Sequence, residues 1–107
     1  LHKLYSERKS LLQEILESIR TSYERGQVGI ESVVLAEQEL LAASLEGAMS
    51  KAERIQIRQS QWKVAADLEK RVEILVQTGA TPVNDLRVAT VQRLNAEIAL
   101  LREEAGD

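Results

Sequence analysis

The residue types that carry out catalysis or bind metal ions are few in this chain, and they do not converge. His2 is the only histidine, it lies near the N-terminus, and there is no cysteine. A metal site would therefore need a cluster of carboxylates, but Glu37 and Glu39, like Glu103 and Glu104, point to different sides of a helix. Serine and threonine hydroxyls are present without a base that could activate them. The sequence thus predicts no enzymatic activity, no bound metal and no cofactor.

Two further patterns are weak as binding motifs. Gly26 and Gly29 do not follow a strand, so they do not form a phosphate-binding loop, and helix capping explains them. A basic side is expected on one helix, from Lys51, Arg54, Arg58 and Lys63, but acidic residues are interspersed and no aromatic platform accompanies it. The net charge is -3 and no stretch approaches the roughly 18 apolar residues of a membrane span. We therefore expect neither nucleic acid as a partner nor direct insertion into a membrane.

The strongest signal in the sequence is an internal repeat with an offset of 53 residues, in which segment 23–36 returns as segment 76–89. The matched positions include Gly26 with Gly79, Val33 with Leu86, Ala36 with Ala89, Leu41 with Leu94 and Ala43 with Ala96. In both copies a long helical pattern ends at glycine, crosses a few residues and starts another helix. A repeat of this size indicates one supersecondary unit, a helical hairpin, that is used twice.

Apolar residues spaced three and four apart predict four amphipathic helices and no strand. The first helix is expected over about 3–25, with Leu4, Leu11, Leu12, Ile15, Leu16, Ile19 and Tyr23 on one stripe, and the second over about 30–45. The third should run to about Thr78 with Ile55, Trp62, Ala65, Ala66, Leu68, Val72, Leu75 and Val76 on its buried side, and the fourth to about Glu104. Ser50 with Glu53 fits a capping box that opens the third helix. Thr81 as N-cap and Pro82 as first helical residue predict the start of the fourth.

These elements predict an all-α fold, an antiparallel four-helix bundle made of two repeated helical hairpins, in a single domain over 1–107. The repeats are expected at about 1–47 and 50–105, with both glycine turns at the same end of the bundle. The second helix is the shortest, so part of the first or third should overhang it and leave apolar surface exposed. Such a surface favours association with a partner or with a second copy.

The repeated turn has a recognisable pattern: Tyr-x-x-Gly, a small or apolar stretch, Ser or Asp, a Val-Leu-x-Ala element and a later Leu. Its positions are Tyr23, Gly26, Ser32, Val33, Val34, Leu35, Ala36, Leu40 and Leu41 in the first copy, and Gly79, Thr81, Asp85, Leu86, Ala89 and Leu94 in the second. This pattern resembles the hairpin signature of TolC-type outer membrane efflux proteins. In that family it marks the tips of periplasmic helical hairpins, where the tunnel closes and the hairpins of a membrane-fusion adaptor dock.

The resemblance implies a non-enzymatic structural and interaction module of the cell envelope, in the periplasm. Its partner would be a helical protein, such as an adaptor hairpin, or a second copy through self-association. The partner-binding residues that it implies are Gly26, Gln27, Val28, Gly79, Ala80 and Thr81.

This chain departs from the family in two ways. The family separates its hairpins by transmembrane β-strands and longer helices, whereas the offset here leaves room only for a turn, and Val76 stands where the first copy has Tyr23. The chain therefore resembles two hairpin tips joined directly. A periplasmic four-helix sensor or regulatory domain of a membrane-anchored protein, or a plain helical scaffold, remain the alternatives. Because the chain begins at Leu1 rather than Met, we expect an excised fragment whose flanking sequence would separate these alternatives.

Overall fold

A computed structural model describes residues 1–106 and contains four helices. They are α1 (His2–Glu24), α2 (Ile30–Glu46), α3 (Lys51–Gln77) and α4 (Val83–Ala105), and no strand occurs within the described residues. The predicted fold class, all-α with four helices in two hairpins, is confirmed. The helix boundaries agree closely with the predicted ones because the signals that end these helices are local in sequence.

The chain divides into two compact units, and each contains one hairpin. The first unit is Leu1–Glu53 and holds α1 and α2, whereas the second begins at Arg54 and holds α4 and most of α3. The predicted repeats, about 1–47 and 50–105, stay predictions, since the boundary between the units falls inside α3. The single domain over 1–107 stays a prediction.

The first hairpin has a small apolar core between α1 and α2. Leu16, Val33 and Ala36 are buried together, and the half-buried Ile19, Ile30 and Leu40 pack against them. At the other end of this hairpin, a Cβ placed on Gly47 would lie 3.4 Å from the Tyr5 Cβ. The small residues at 36 and 47 thus allow the two helices to approach closely.

The second hairpin buries small residues and joins its helices by ion pairs. Ala65 on α3 and Ala89 on α4 are its buried residues, and Ala89 is the repeat equivalent of the buried Ala36. Glu69 on α3 pairs with Arg93 on α4 at 2.7 Å. Both repeats therefore bury an alanine at the same position.

The start of α3 has the predicted capping box. The Glu53 amide donates a hydrogen bond to the Ser50 Oγ at 3.1 Å, and the Met49 amide donates to the Glu53 carboxylate at 2.8 Å. In the usual box the glutamate accepts from the amide of the cap residue itself, so here its carboxylate reaches one residue further back. One amide that the helix start leaves unpaired, that of Glu53, is satisfied in this way, together with the amide of Met49 before the helix.

The prediction that one side of α3 is buried along its length is wrong at two positions. Trp62 is 37% exposed and Leu75 is 44% exposed, although Ala65 is buried as expected. Within its own hairpin α3 packs on α4, and a single helix covers a narrower stripe than an apolar pattern of this width needs. Both hairpins therefore present apolar side chains to solvent.

Candidate interaction surfaces

The first glycine turn ends α1 with a Schellman motif. Gly26 has φ +74°, the Gly26 amide donates to the Tyr23 carbonyl at 3.0 Å, and the Gln27 amide donates to the Ser22 carbonyl at 2.9 Å. These two bonds satisfy carbonyls that the helix end would otherwise leave unpaired. The left-handed backbone explains the glycine, because other residues adopt that conformation at a cost.

The second turn has the same geometry at the repeat-equivalent positions. Gly79 has φ +76°, its amide donates to the Val76 carbonyl at 3.0 Å, and the Ala80 amide donates to the Leu75 carbonyl at 2.8 Å. All four positions are offset by 53 from those of the first turn. The sequence repeat is therefore a repeat of backbone hydrogen bonding as well as of residue types.

The structure places the sequence-predicted binding residues in these turns, three in each hairpin. Gly26, Gln27, Gly79 and Ala80 are exposed, whereas Val28 and Thr81 are half-buried. Val28 therefore presents less apolar surface than the sequence suggested. The juxtaposition of the two turns stays a prediction.

The predicted start of α4 needs a correction by one residue. Pro82 is the N-cap of α4, with φ -66° and ψ 151°, rather than the first helical residue. Thr81 makes no N-cap bond to the backbone, and its hydroxyl donates to the carboxylate of Asp85. The Asp85 amide meanwhile donates to the Pro82 carbonyl at 3.0 Å.

Each hairpin also exposes an aliphatic side chain shortly after its turn, and the sequence reasoning did not predict this exposure. Leu35 on α2 is 58% exposed and Val88 on α4 is 51% exposed. They are repeat equivalents, and each directly precedes the buried alanine of its helix, Ala36 or Ala89. Their exposure could have been predicted from the sequence, because the residue before a buried helix position points to a different side of the helix.

In residues 1–106 no group of three or more His, Cys, Asp or Glu side chains could hold a metal ion, and no buried side-chain N or O atom lacks a partner. A cleft of about 120 Å³ near the start of α1 is lined by His2, Tyr5, Ser6, Lys9, Ala43, Ser44, Gly47, Met49 and Glu53. This cleft is smaller than ligand pockets usually are, roughly 300–1,000 Å³, whereas open grooves of about 380 Å³ on α3 and about 500 Å³ on α1 lie within that range.

The basic side predicted for α3 is partly neutralised within its own hairpin. Arg54 and Arg58 pair with the carboxylate of Glu103 at 3.1 and 3.4 Å. The hydrogen bond from Arg54 and the charges of both arginines lower the pKa of Glu103, against an opposing effect of burial. Because two of its four basic residues face a carboxylate, this side is poorly suited to bind phosphate groups.

No helix within residues 1–106 is long and apolar enough to cross a membrane. No family model, curated protein or solved structure matches this chain. The resemblance to TolC-type hairpins therefore rests on the pattern of the repeated turns.

Proposed function

We propose that this chain is a non-enzymatic interaction module of the cell envelope that docks a helical partner at its two repeated turns. The observation that carries the proposal is the duplicated tip: the same Schellman turn, followed by an exposed aliphatic residue, occurs in both hairpins. We call Gln27 and Leu35 in the first hairpin, with Ala80 and Val88 in the second, the tip residues.

The chemistry of the tips suits a helix better than a small molecule. A helical partner can bring apolar side chains against exposed aliphatic residues such as Leu35 and Val88, and cover them without a deep pocket. The left-handed glycines have no side chain, and nothing lies within 4 Å of the Cβ that either would carry. Side chains of a partner helix would therefore find open space beside the turns.

The resemblance to TolC-type hairpins suggests the class of partner, namely the helical hairpin of a membrane-fusion adaptor, and a periplasmic location. The sensor and scaffold alternatives would not require docking at the tips. A binding experiment on the tip residues therefore separates the proposed function from both of them.

The test is isothermal titration calorimetry of the chain with isolated adaptor hairpins from the source organism. We expect Leu35→Asp, Val88→Asp and Ala80→Asp to weaken binding by about tenfold or more, since each would place a charge in an apolar contact. Leu11→Asp is the matched control, because Leu11 is 54% exposed on α1 and lies several helical turns before Gly26. Equal binding by the tip variants and the unmodified chain would rule out docking at the tips.

A further inference from the structure

α4 carries a second apolar stripe on the side that does not face α3. The side toward α3 is marked by the buried Ala89, and by Arg93 and Glu103, which pair with residues of α3. The second stripe consists of Val91, Leu94, Ile98 and Leu101, which are 53%, 43%, 49% and 58% exposed. We call these four residues the α4 seam. At about 100° per residue the seam lies nearly opposite the side that faces α3.

The seam has the spacing of a coiled coil. Its residues follow one another at intervals of three, four and three, which matches the a and d positions of a heptad repeat. Val91 and Ile98 then occupy a positions, and Leu94 and Leu101 occupy d positions. β-Branched residues at a positions with leucine at d positions favour a parallel coiled coil of two helices. The seam residues therefore have the composition of a parallel two-helix contact.

The charges that flank the seam indicate that the second helix is another α4. In this heptad frame Glu97 is a g position and Arg102 is the e position that follows it. In a parallel pair, the g residue of one helix lies beside the following e residue of the other helix. Glu97 of each copy would then face Arg102 of the other, which gives two ion pairs. An antiparallel pair would instead bring like charges together.

We infer that a second copy of this chain packs on the α4 seam as a parallel, in-register helix pair. The contact spans two heptads, since Arg87 occupies the preceding d position and ends the apolar run. Two heptads are short for an isolated coiled coil, but α4 is already held in its hairpin, so association does not carry the cost of forming the helix. The dimer is expected to be weak and reversible. It uses a different surface from the tips, so either inference can fail without the other.

The first test is sedimentation equilibrium on the 107-residue chain from about 10 µM to about 1 mM, a range that covers weak complexes. We expect a monomer–dimer equilibrium, and Leu94→Asp should raise its dissociation constant about tenfold or more by placing a charge in the seam. Ile74→Asp, on α3, should leave it unchanged. A chain that stays monomeric over this range would overturn the inference, as would a dimer that Leu94→Asp leaves intact.

A charge swap tests the partner and the orientation together. Glu97→Arg and Arg102→Glu should each weaken the dimer severalfold, and the double variant should restore it, because the exchanged charges again face each other across a parallel pair. Glu97 also pairs with Arg93 in its own helix at 3.1 Å, so thermal unfolding followed by circular dichroism should accompany each measurement. Folded variants without restoration in the double variant would contradict the parallel arrangement.

The absence of cysteine from the sequence permits a direct test of register. In a parallel pair the two copies of residue 101 are adjacent. When oxidised glutathione is added as the oxidant, two Leu101→Cys chains should therefore become linked by a disulfide. Ile74→Cys is the control of similar exposure and should form the linked dimer much more slowly. Equal rates for the two variants would show that the seam is not the site of contact.

Discussion

Glu69 and Arg93 pair at 2.7 Å in the second hairpin, at the positions that Leu16 and Leu40 occupy in the first. Leu16 is a buried member of the first hairpin's core, and Leu40 packs against that core. The two repeats thus join the same helix positions by different means, one by an apolar contact and the other by an ion pair. Leu40 and Arg93 each lie about one helical turn after the repeated buried alanine of their helix, Ala36 or Ala89.

We predict that an apolar pair can replace Glu69 and Arg93 without loss of stability. The double variant Glu69→Leu with Arg93→Leu should unfold in urea with a free energy unchanged or raised by about 1 kcal/mol, since partly buried ion pairs lose much of their attraction to desolvation. Each single variant should lose about 1 kcal/mol, because it breaks the Glu69–Arg93 pair; Arg93→Leu also removes the partner of Glu97.

The comparison for this cycle is the Arg20–Glu37 pair of the first hairpin. Its atoms are 3.3 Å apart and the Arg20 side chain is 53% exposed, so Arg20→Leu should change stability by less than about 0.5 kcal/mol. A double Leu variant at 69 and 93 that is as unstable as the worse single variant would show that the ion pair is specifically required.

The two turn glycines should tolerate substitution only at a conformational cost. Gly26→Ala and Gly79→Ala should each lower the free energy of unfolding by about 1 kcal/mol, because both residues have positive φ. Nothing lies within 4 Å of a Cβ at either position, so no clash contributes. Asparagine tolerates this conformation better, and Gly79→Asn should therefore cost less than Gly79→Ala. An alanine variant as stable as the unmodified chain would argue against the left-handed turn.

The helix ends were predictable from the sequence because their signals are local. Gly26, Gly79 and the Ser50–Glu53 box each specify a backbone conformation or hydrogen bond within a few residues. Even here, the cap of α4 is Pro82 rather than Thr81, and the Thr81 hydroxyl donates to the Asp85 carboxylate rather than accepting from a helix amide. Residue spacing alone does not determine whether such a hydroxyl accepts from the backbone or donates to a carboxylate.

Burial was predicted less well, since it depends on which neighbour covers each side of a helix. Apolar spacing places Leu75 and Ala65 on one stripe of α3, yet Leu75 is 44% exposed and Ala65 only 6% exposed. The ion pair between Glu69 and Arg93 could have been found in advance. At the repeat offset, the change from Leu16 to Glu69 is matched by the change from Leu40 to Arg93, and such paired changes indicate contact.

Glu103 should make stability depend on pH in the acidic range. Its pKa in the folded chain is lowered by the hydrogen bond from Arg54 and by the nearby charges of Arg54 and Arg58. A lowered folded pKa means that the unfolded chain binds the proton more readily. The stabilisation is therefore present above the unfolded pKa and is lost as the pH falls through the folded pKa.

The measurement is chemical unfolding of the chain and of Glu103→Gln at several pH values. We expect the variant to be less stable than the unmodified chain at pH 7, and the difference to shrink as the pH falls below about 4. Added salt should also reduce the difference at pH 7, because these partly exposed charges are screened. If the stability difference between the two chains stayed constant from pH 7 to acidic pH, the ion pairs of Glu103 with Arg54 and Arg58 would be excluded as its source.

The repeated alanines should be the positions where added volume is most harmful. Ala36 and Ala89 are 6% and 4% exposed, and we expect each to lie where the two helices of its hairpin approach closely. Ala36→Leu and Ala89→Leu should each lower the free energy of unfolding by about 1–3 kcal/mol, because the larger side chain must push the helices apart. Ala42→Leu is the matched control, since Ala42 is exposed on the same helix as Ala36, and its stability should change little. If Ala36→Leu and Ala42→Leu had the same stability, the close contact at the repeated alanine would not exist, and the shared geometry of the two hairpins would reside in their turns alone.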